Sequence, residues 1–189
     1  MKDKFNQRYR KSNRLKGYDY TAAGYYFVTI CVDKWQCMFG DIIDGKMQLN
    51  HYGLIVEQEW LNTEKIRDNV ELDEFVVMPN HFHGVIIITR SGMARHATTG
   101  ARYHAQTMDE RQFGKPMARS LSTIIGSFKS AVTRAVNLLG DTPGDTLWQR
   151  SFYDRIIRNE KELFNIRQYI INNPLKWEMD REKPLNLEF

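Results

Sequence analysis

Two histidines separated by one residue, His81 and His83, are the side chains whose types and spacing most directly indicate chemistry. They precede the apolar run Val85 to Ile88, and the whole segment predicts a β-strand. Because alternate residues of a strand point to one face, both imidazoles would lie together while Phe82 packs on the other face. Such a pair suits a divalent metal ion. It fills only part of a coordination sphere, so the site needs another protein ligand and oxygens from water or substrate.

A second group of polar side chains lies near the C-terminus, where Tyr169 and Asn173 are four residues apart. Apolar residues recur at helical spacing from Glu160 to Asn172, which predicts a last helix that Pro174 ends. A phenol and an amide four positions apart share one helical face and can therefore address one site. Neither residue is specific alone, since tyrosines commonly pack at core edges and asparagine before proline commonly terminates helices.

The elements that must position these groups are predicted from apolar periodicity and turn residues. Strands are predicted at Tyr25–Val32, Leu72–Met78, Phe82–Thr89 and Trp148–Arg158, helices at 53–66 and Ser120–Leu139, and an extra hairpin around the Asp44-Gly45 turn. Apart from the hairpin and the last helix, the order is βαββαβ. This order predicts an α+β, ferredoxin-like fold, in which two helices cover one face of an antiparallel sheet and leave the other face free.

Composition bounds the class of protein. The chain has 189 residues, of which 42% are hydrophobic and 12% aromatic, so one domain with a real core is expected and general disorder is excluded. Apolar runs are no longer than Val85 to Ile88, against roughly 20 residues for a membrane span, and no apolar secretory segment opens the chain. A cytoplasmic protein with no membrane partner is expected. Two cysteines, Cys31 and Cys37, provide neither a disulfide framework nor a cysteine-rich zinc cluster.

Positive charge is unevenly distributed along the chain, although the net charge is only +4. Residues 1–16 form a basic N-terminal arm, and a second basic stretch runs from Arg90 to Arg134. Two separated basic stretches on one small domain favour a polyanionic partner such as nucleic acid. The expected organisation is the arm, a single domain at 17–177 that contains an aperiodic insertion at 91–117, and a C-terminal tail at 178–189.

Four motifs, taken in order, resemble one family. They are Arg14–Tyr20 (RLKGYDY), Met78–Gly84 (MPNHFHG), Trp148–Asp154 (WQRSFYD) and Tyr169–Lys176 (YIINNPLK). The chain from about Arg14 to Trp177 is similar to the REP-associated tyrosine transposases, which belong to the single-tyrosine branch of the HUH endonucleases.

The resemblance implies a role for each site residue. His81, His83 and Asn173 would hold a divalent ion, Mg²⁺ or Mn²⁺. Tyr169 would attack a phosphodiester of single-stranded DNA and form a 5′-phosphotyrosine link with a free 3′-hydroxyl. The substrate would be DNA folded into a hairpin, such as a repetitive extragenic palindrome. The enzyme would be a transposase that cleaves and rejoins DNA near such hairpins, as a monomer or a homodimer.

Basic side chains in and near the motifs are expected to contact DNA phosphates. These are Arg14, Lys16, Arg119, Lys129, Arg134 and Arg150. Two other functions remain open from the sequence. One is a regulator that binds hairpin DNA or RNA without catalysis. The other is a zinc hydrolase that uses His81 and His83 together with a carboxylate from Asp73 or Glu74.

Overall fold

The computed structural model describes residue 15 and the ranges 17–90 and 117–177. The predicted basic arm (apart from Leu15), all but the last residue of the predicted insertion at 91–117, and the tail at 178–189 lie outside the described residues. The elements along the chain are β1 (Gly24–Cys31), β2 (Gly40–Ile43), β3 (Lys46–Leu49), α1 (His51–Lys65), β4 (Val70–Met78), β5 (His81–Ile88), α2 (Leu121–Gly140), β6 (Tyr153–Ile157) and α3 (Glu160–Trp177), with a 3-10 turn at Asp33–Trp35.

The main sheet has the strand order β4-β5-β1-β6, and every neighbouring pair is antiparallel. β2 and β3 form a separate hairpin through the Asp44-Gly45 turn, in which both residues have positive φ. With that hairpin set aside, element order and strand order are those of a ferredoxin-like sheet. The predicted fold class is therefore confirmed.

One face of the sheet packs against α1 and α2 around the indole of Trp60. The ring centroid of Trp60 lies 4.6 Å from that of Phe82 and 5.2 Å from that of Phe128. Gly84 makes this packing possible, because a Cβ there would lie 2.8 Å from Trp60 Cζ2. Phe82 thus points toward the helices, so its neighbours in sequence, His81 and His83, point toward the opposite face.

That opposite face, which the βαββαβ core alone would leave free, is covered by α3. The helix packs an apolar stripe on the sheet, and the cluster comprises Leu163, Ile166 and Ile170 of α3 with Phe27, Val85 and Ile157 of the strands. The helix that carries Tyr169 therefore lies on the face that carries the histidines. In the part of the chain that the model describes, no helix is both long and hydrophobic enough to cross a bilayer.

The prediction that Pro174 ends the last helix was wrong, because α3 continues through Pro174 to Trp177. Proline lacks the N–H that would bond to the carbonyl of Ile170, which normally disfavours a helix interior. Here tertiary packing extends the helix, since the ring of Trp177 lies 5.7 Å from the ring of His81.

The predicted strand at Trp148–Arg158 is shorter than expected, since β6 begins at Tyr153. Trp148 forms only an isolated bridge with Val32. The carbonyls of Gln149, Arg150 and Ser151 turn toward Lys129 Nζ, at 2.6, 3.3 and 3.4 Å. A lysine on α2 therefore interrupts the strand.

Candidate active site

The candidate site lies between β5 and α3. His81 and His83 are 4% and 1% exposed, and both sit on the face of the sheet that α3 covers. Tyr169 and Asn173, one helical turn apart on α3, face the same point. The structure thus brings together the four residues for which the sequence predicts chemistry.

The two imidazoles converge through their Nε2 atoms, which are 3.0 Å apart. Two ligands about 2.1 Å from one ion and at right angles to each other lie about 3.0 Å apart. The side chain of Asn173, which is also buried, hydrogen-bonds to His81 and adds an amide at the same place. Two convergent nitrogens and an amide therefore fit part of the coordination sphere of a divalent ion.

The hydroxyl of Tyr169 lies 3.3 Å from Nε2 of His83. The phenol ring is held edge-on by Phe27, at 6.1 Å between ring centroids, and packs against His83 at 5.2 Å. Phe27 also stacks on His83 at 5.4 Å. One phenylalanine from β1 therefore positions both the tyrosine and the histidine, and the hydroxyl lies at the convergent nitrogens.

The outer nitrogens of the histidines have partners that the sequence analysis missed. His81 Nδ1 lies 2.7 Å from Oδ1 of Asn80, and His83 Nδ1 lies 2.8 Å from Oγ1 of Thr29. In the sequence Asn80 is a turn residue only. Thr29 faces His83 because the register of β1 on β5 pairs them. Such contacts outside the ligands orient metal-binding imidazoles.

Burial keeps both imidazoles neutral. It lowers the pKa of His81 to about 4, against the hydrogen bond with Asn173, which raises it. It lowers the pKa of His83 well below the ordinary value, and the neighbouring His81 acts in the same direction. At pH 7 both rings therefore keep one unprotonated nitrogen, as metal binding requires.

The basic residues predicted to contact DNA are not part of the group formed by the two histidines, Tyr169 and Asn173. Arg119 pairs with Asp68 at 2.9 Å, and the ammonium of Lys129 binds the carbonyls that precede β6. Arg134 and Arg150 are exposed, whereas Arg14 and Lys16 lie outside the described residues. Their contact with DNA stays a prediction.

Of the two carboxylates that a zinc hydrolase could use, Glu74 is exposed and Asp73 has a different partner. Asp73 accepts two hydrogen bonds from Arg167 of α3, at 2.8 and 2.5 Å. Although burial raises the pKa of Asp73, these bonds outweigh it and hold that pKa below its ordinary value. Among the described residues, no three His, Cys, Asp or Glu side chains cluster as a metal site. The geometry therefore brings Tyr169 beside the histidines, whereas Asp73 is paired with Arg167.

Comparison with known proteins gives a relative and a fold. No protein-family model matches the chain. It is 37% identical over 183 residues to an uncharacterized protein of Haemophilus influenzae Rd, and the match covers 96% of this chain and 98% of that one. The structure of a REP-associated tyrosine transposase bound to a REP hairpin is similar, with a TM-score of 0.56 and 18% identity over 87% of this chain and 73% of that chain.

A weaker match, with a TM-score of 0.40 and 17% identity, is the crystal structure of a transposase candidate from Deinococcus radiodurans R1, covering 84% of this chain and 97% of that one. The first structural match, at 18% identity, shows that the overall fold is shared. The chain thus belongs to one family with the Haemophilus influenzae protein, and it has the fold of the REP-associated tyrosine transposases.

Proposed function

We propose that this protein is a metal-dependent transposase that cleaves and rejoins single-stranded DNA near hairpins through Tyr169. One observation carries the proposal. The hydroxyl of Tyr169 lies 3.3 Å from a buried imidazole whose Nε2 is 3.0 Å from a second imidazole nitrogen. A nucleophile beside two convergent metal ligands is an arrangement that can support phosphodiester transfer.

The reaction would proceed by transesterification. The Oη of Tyr169 attacks the phosphorus and loses its proton, while the bond from phosphorus to the 3′-oxygen breaks and that oxygen gains a proton. The downstream DNA strand is then linked to Tyr169 through its 5′-phosphate, and the upstream strand ends in a free 3′-hydroxyl. Because one ester replaces another, a 3′-hydroxyl can reverse the step and join strands without an external energy source.

His81, His83 and Asn173 would hold the divalent ion, Mg²⁺ or Mn²⁺. When bound, the ion supplies charge neutralisation at the non-bridging phosphate oxygens. The rings bind it as neutral ligands, and Phe27 keeps the phenol beside them. Imidazole binds softer ions better than it binds Mg²⁺, so Mn²⁺ is expected to support the reaction in vitro at least as well as Mg²⁺.

The proposed substrate class draws on the neighbouring fold and on charge. The similar transposase was solved with a REP hairpin. Arg134 and Arg150 are exposed, and the sequence outside the described ranges adds Arg14, Lys16 and the rest of the basic arm. These cations suit a phosphate backbone. DNA as substrate also fits the expected cytoplasmic location.

The test is covalent capture. Purified protein is mixed with a pool of single-stranded hairpin oligonucleotides and Mn²⁺, and adducts are detected by denaturing gel and mapped by mass spectrometry. We expect an adduct at Tyr169 that is absent in Tyr169→Phe and in His81→Gln. Tyr153→Phe is the matched control, since Tyr153 is half-buried on β6 and is not expected to react.

Two results would contradict the proposal. Adducts that persist in Tyr169→Phe would place the nucleophile elsewhere. Hairpin binding with no adduct in any metal would favour the alternative, a regulator that binds hairpin DNA or RNA without catalysis.

A further inference from the structure

The side-chain amide of Asn80 has only one possible orientation. One of its ends lies 3.2 Å from the backbone carbonyl of Trp35, which can only accept a hydrogen bond, so that end is the donor Nδ2. The other end is then Oδ1, which lies 2.7 Å from Nδ1 of His81. Because Oδ1 only accepts, Nδ1 of His81 carries the proton. The neutral ring therefore presents a lone pair at Nε2.

This proton position constrains the second histidine. Nε2 of His83 lies 3.0 Å from Nε2 of His81, and two lone pairs at that distance repel. Without a metal ion, a proton on Nε2 of His83 that is donated to His81 removes this repulsion, and the hydroxyl of Tyr169, 3.3 Å from the same atom, can accept from it as well. Nδ1 of His83 is then an acceptor and takes the proton of the Thr29 hydroxyl, 2.8 Å away. The two rings consequently have opposite tautomers.

The two outer partners differ in what they allow. The amide oxygen of Asn80 can only accept, so it holds His81 in one tautomer. The hydroxyl of Thr29 can donate or accept, so it tolerates both tautomers of His83. When both Nε2 atoms serve as ligands, the ring proton of His83 must be at Nδ1. His83 loses the proton at Nε2 and gains one at Nδ1. Each of the two rings therefore carries one proton both before and after the ion binds.

We propose that Asn80 is a positioning residue that holds His81 as the Nδ1–H tautomer, and that Thr29 is a reversible partner that lets His83 change tautomer when the ion binds. The loaded state rests on the proposed function. The metal-free state is inferred from the contacts of the two rings with Asn80, with Thr29 and with each other.

Backbone strain at Trp35 supports a dedicated role for Asn80. Lys34 and Trp35 have φ of 53° and 59°, in the left-handed region that non-glycine residues rarely adopt. Such strain persists where surrounding contacts determine it, and it concentrates at functional sites. Here the strained turn directs the carbonyl of Trp35 at the amide of Asn80.

The test reads tautomers in the metal-free protein. The full chain, labelled with ¹⁵N and treated with EDTA, is examined by long-range ¹H–¹⁵N NMR of its imidazoles at pH 7, with His81→Gln and His83→Gln for assignment. We expect Nδ1–H for His81 and Nε2–H for His83. Addition of Zn²⁺, a diamagnetic probe ion, is expected to convert His83 to Nδ1–H and leave His81 unchanged.

Two variants separate the roles of the amide. Asn80→Asp loses the donor to the carbonyl of Trp35 but keeps an acceptor toward His81, so it is expected to keep His81 as Nδ1–H. Asn80→Leu has a similar volume without an acceptor, so His81 is expected to populate both tautomers and the Kd for Mn²⁺ to rise 10- to 100-fold.

Two further variants test the hydroxyl of Thr29. Thr29→Ser should behave as the parent chain. In Thr29→Val, which lacks the reversible hydroxyl, binding should weaken.

The proposal would be overturned by Nε2–H at His81 in the metal-free parent chain. It would equally be overturned if Asn80→Leu kept both the tautomer and the Mn²⁺ affinity of the parent. Should Asn80→Leu fail to fold, the parent spectrum and Asn80→Asp still decide. The expected NMR spectra together with no DNA adduct would refute the proposed function and leave this inference standing. A DNA adduct at Tyr169 together with Nε2–H at His81 would refute this inference and leave the proposed function standing.

Discussion

The two histidines of the site, His81 and His83, owe their neutral state to burial. An imidazole on the surface would be partly protonated near neutral pH, and a protonated ring cannot bind a cation. Burial under α3 lowers the pKa of both histidines, so their lone pairs are retained in acid. Keeping them neutral costs stability once the unfolded chain can bind protons.

The metal-free protein is therefore expected to lose stability as pH falls from about 6.5 to about 4. Below pH 6.5 the unfolded chain protonates His81, whereas the folded chain, with a pKa of about 4, does not. The free energy of unfolding is therefore highest above pH 6.5, the ordinary pKa of histidine. It falls as the pH approaches 4, by on the order of 3 kcal/mol for His81. Urea unfolding in EDTA at several pH values measures this dependence.

His81→Gln is the control for that experiment. The pKa values of Asp73 and Glu162 are lowered from 3.8 and 4.5, so their contributions begin to fall only at the acidic end of this range. The variant should therefore have a shallower pH dependence between pH 6.5 and 4. Parallel curves for the two proteins would contradict the assignment of the loss to His81.

Gly84 is the second single residue on which the site depends. A methyl group there would lie 2.8 Å from Trp60 Cζ2 and 2.9 Å from the ring of Phe82. Gly84→Ala should lower the free energy of unfolding by about 1–3 kcal/mol, because the core must shift. Gly126→Ala, in an open position on α2, should raise it by about 0.5–1 kcal/mol. Urea unfolding of both variants tests the contrast, and equal effects would contradict it.

At the scale of elements, α3 must be held firmly on the sheet for its tyrosine to meet the histidines. Arg167, two residues before Tyr169, makes a two-pronged ion pair with Asp73 of β4. Arg155 of β6 makes a second ion pair with Glu162 of α3, at 2.6 Å. The helix is thus attached to strands at both edges of the sheet.

Asp73→Asn should loosen this attachment. The carboxylate of Asp73 is mostly buried while Arg167 is 40% exposed, so the expected loss is about 1 kcal/mol of unfolding free energy. Adduct formation at Tyr169 should fall as well, because the phenol is positioned through α3. Gel quantification of adducts, together with urea unfolding, measures both effects.

The control is Asp68→Asn, which removes the exposed pair with Arg119. It should change stability by less than about 0.5 kcal/mol and should not lower adduct formation, because the attachment of α3 is left intact. If Asp73→Asn had no more effect than Asp68→Asn, the ion pair would not position the helix.

The same elements show what sequence reasoning can reach. The β-branched and aromatic runs predicted β1 and β5, and the spacing of His81 with His83 and of Tyr169 with Asn173 predicted which side chains share a face. Both kinds of prediction succeeded because they depend only on residues that are close in sequence. The role of Thr29 depends on the pairing of β1 with β5, 54 residues away. The passage of α3 through Pro174 depends on the packing of Trp177 against His81. Neither can be seen in a local pattern.

At the scale of the whole molecule, all of the site lies in one chain. The oxygen of Tyr169 is 3.3 Å from His83 of the same chain, and both ion pairs that attach α3 are internal. The proposed nucleophile and the proposed ligands therefore meet within one chain.

A mixing experiment tests this assembly. Tyr169→Phe retains the ligands and His81→Gln retains the nucleophile, so a site shared between subunits would be restored in mixed dimers. We expect no adduct from the mixture, because neither chain holds a complete site. For the parent chain, the adduct rate per molecule should be constant on dilution. Adduct recovery in the mixture, or a rate that falls on dilution at saturating DNA, would show that the tyrosine acts on a partner's ligands.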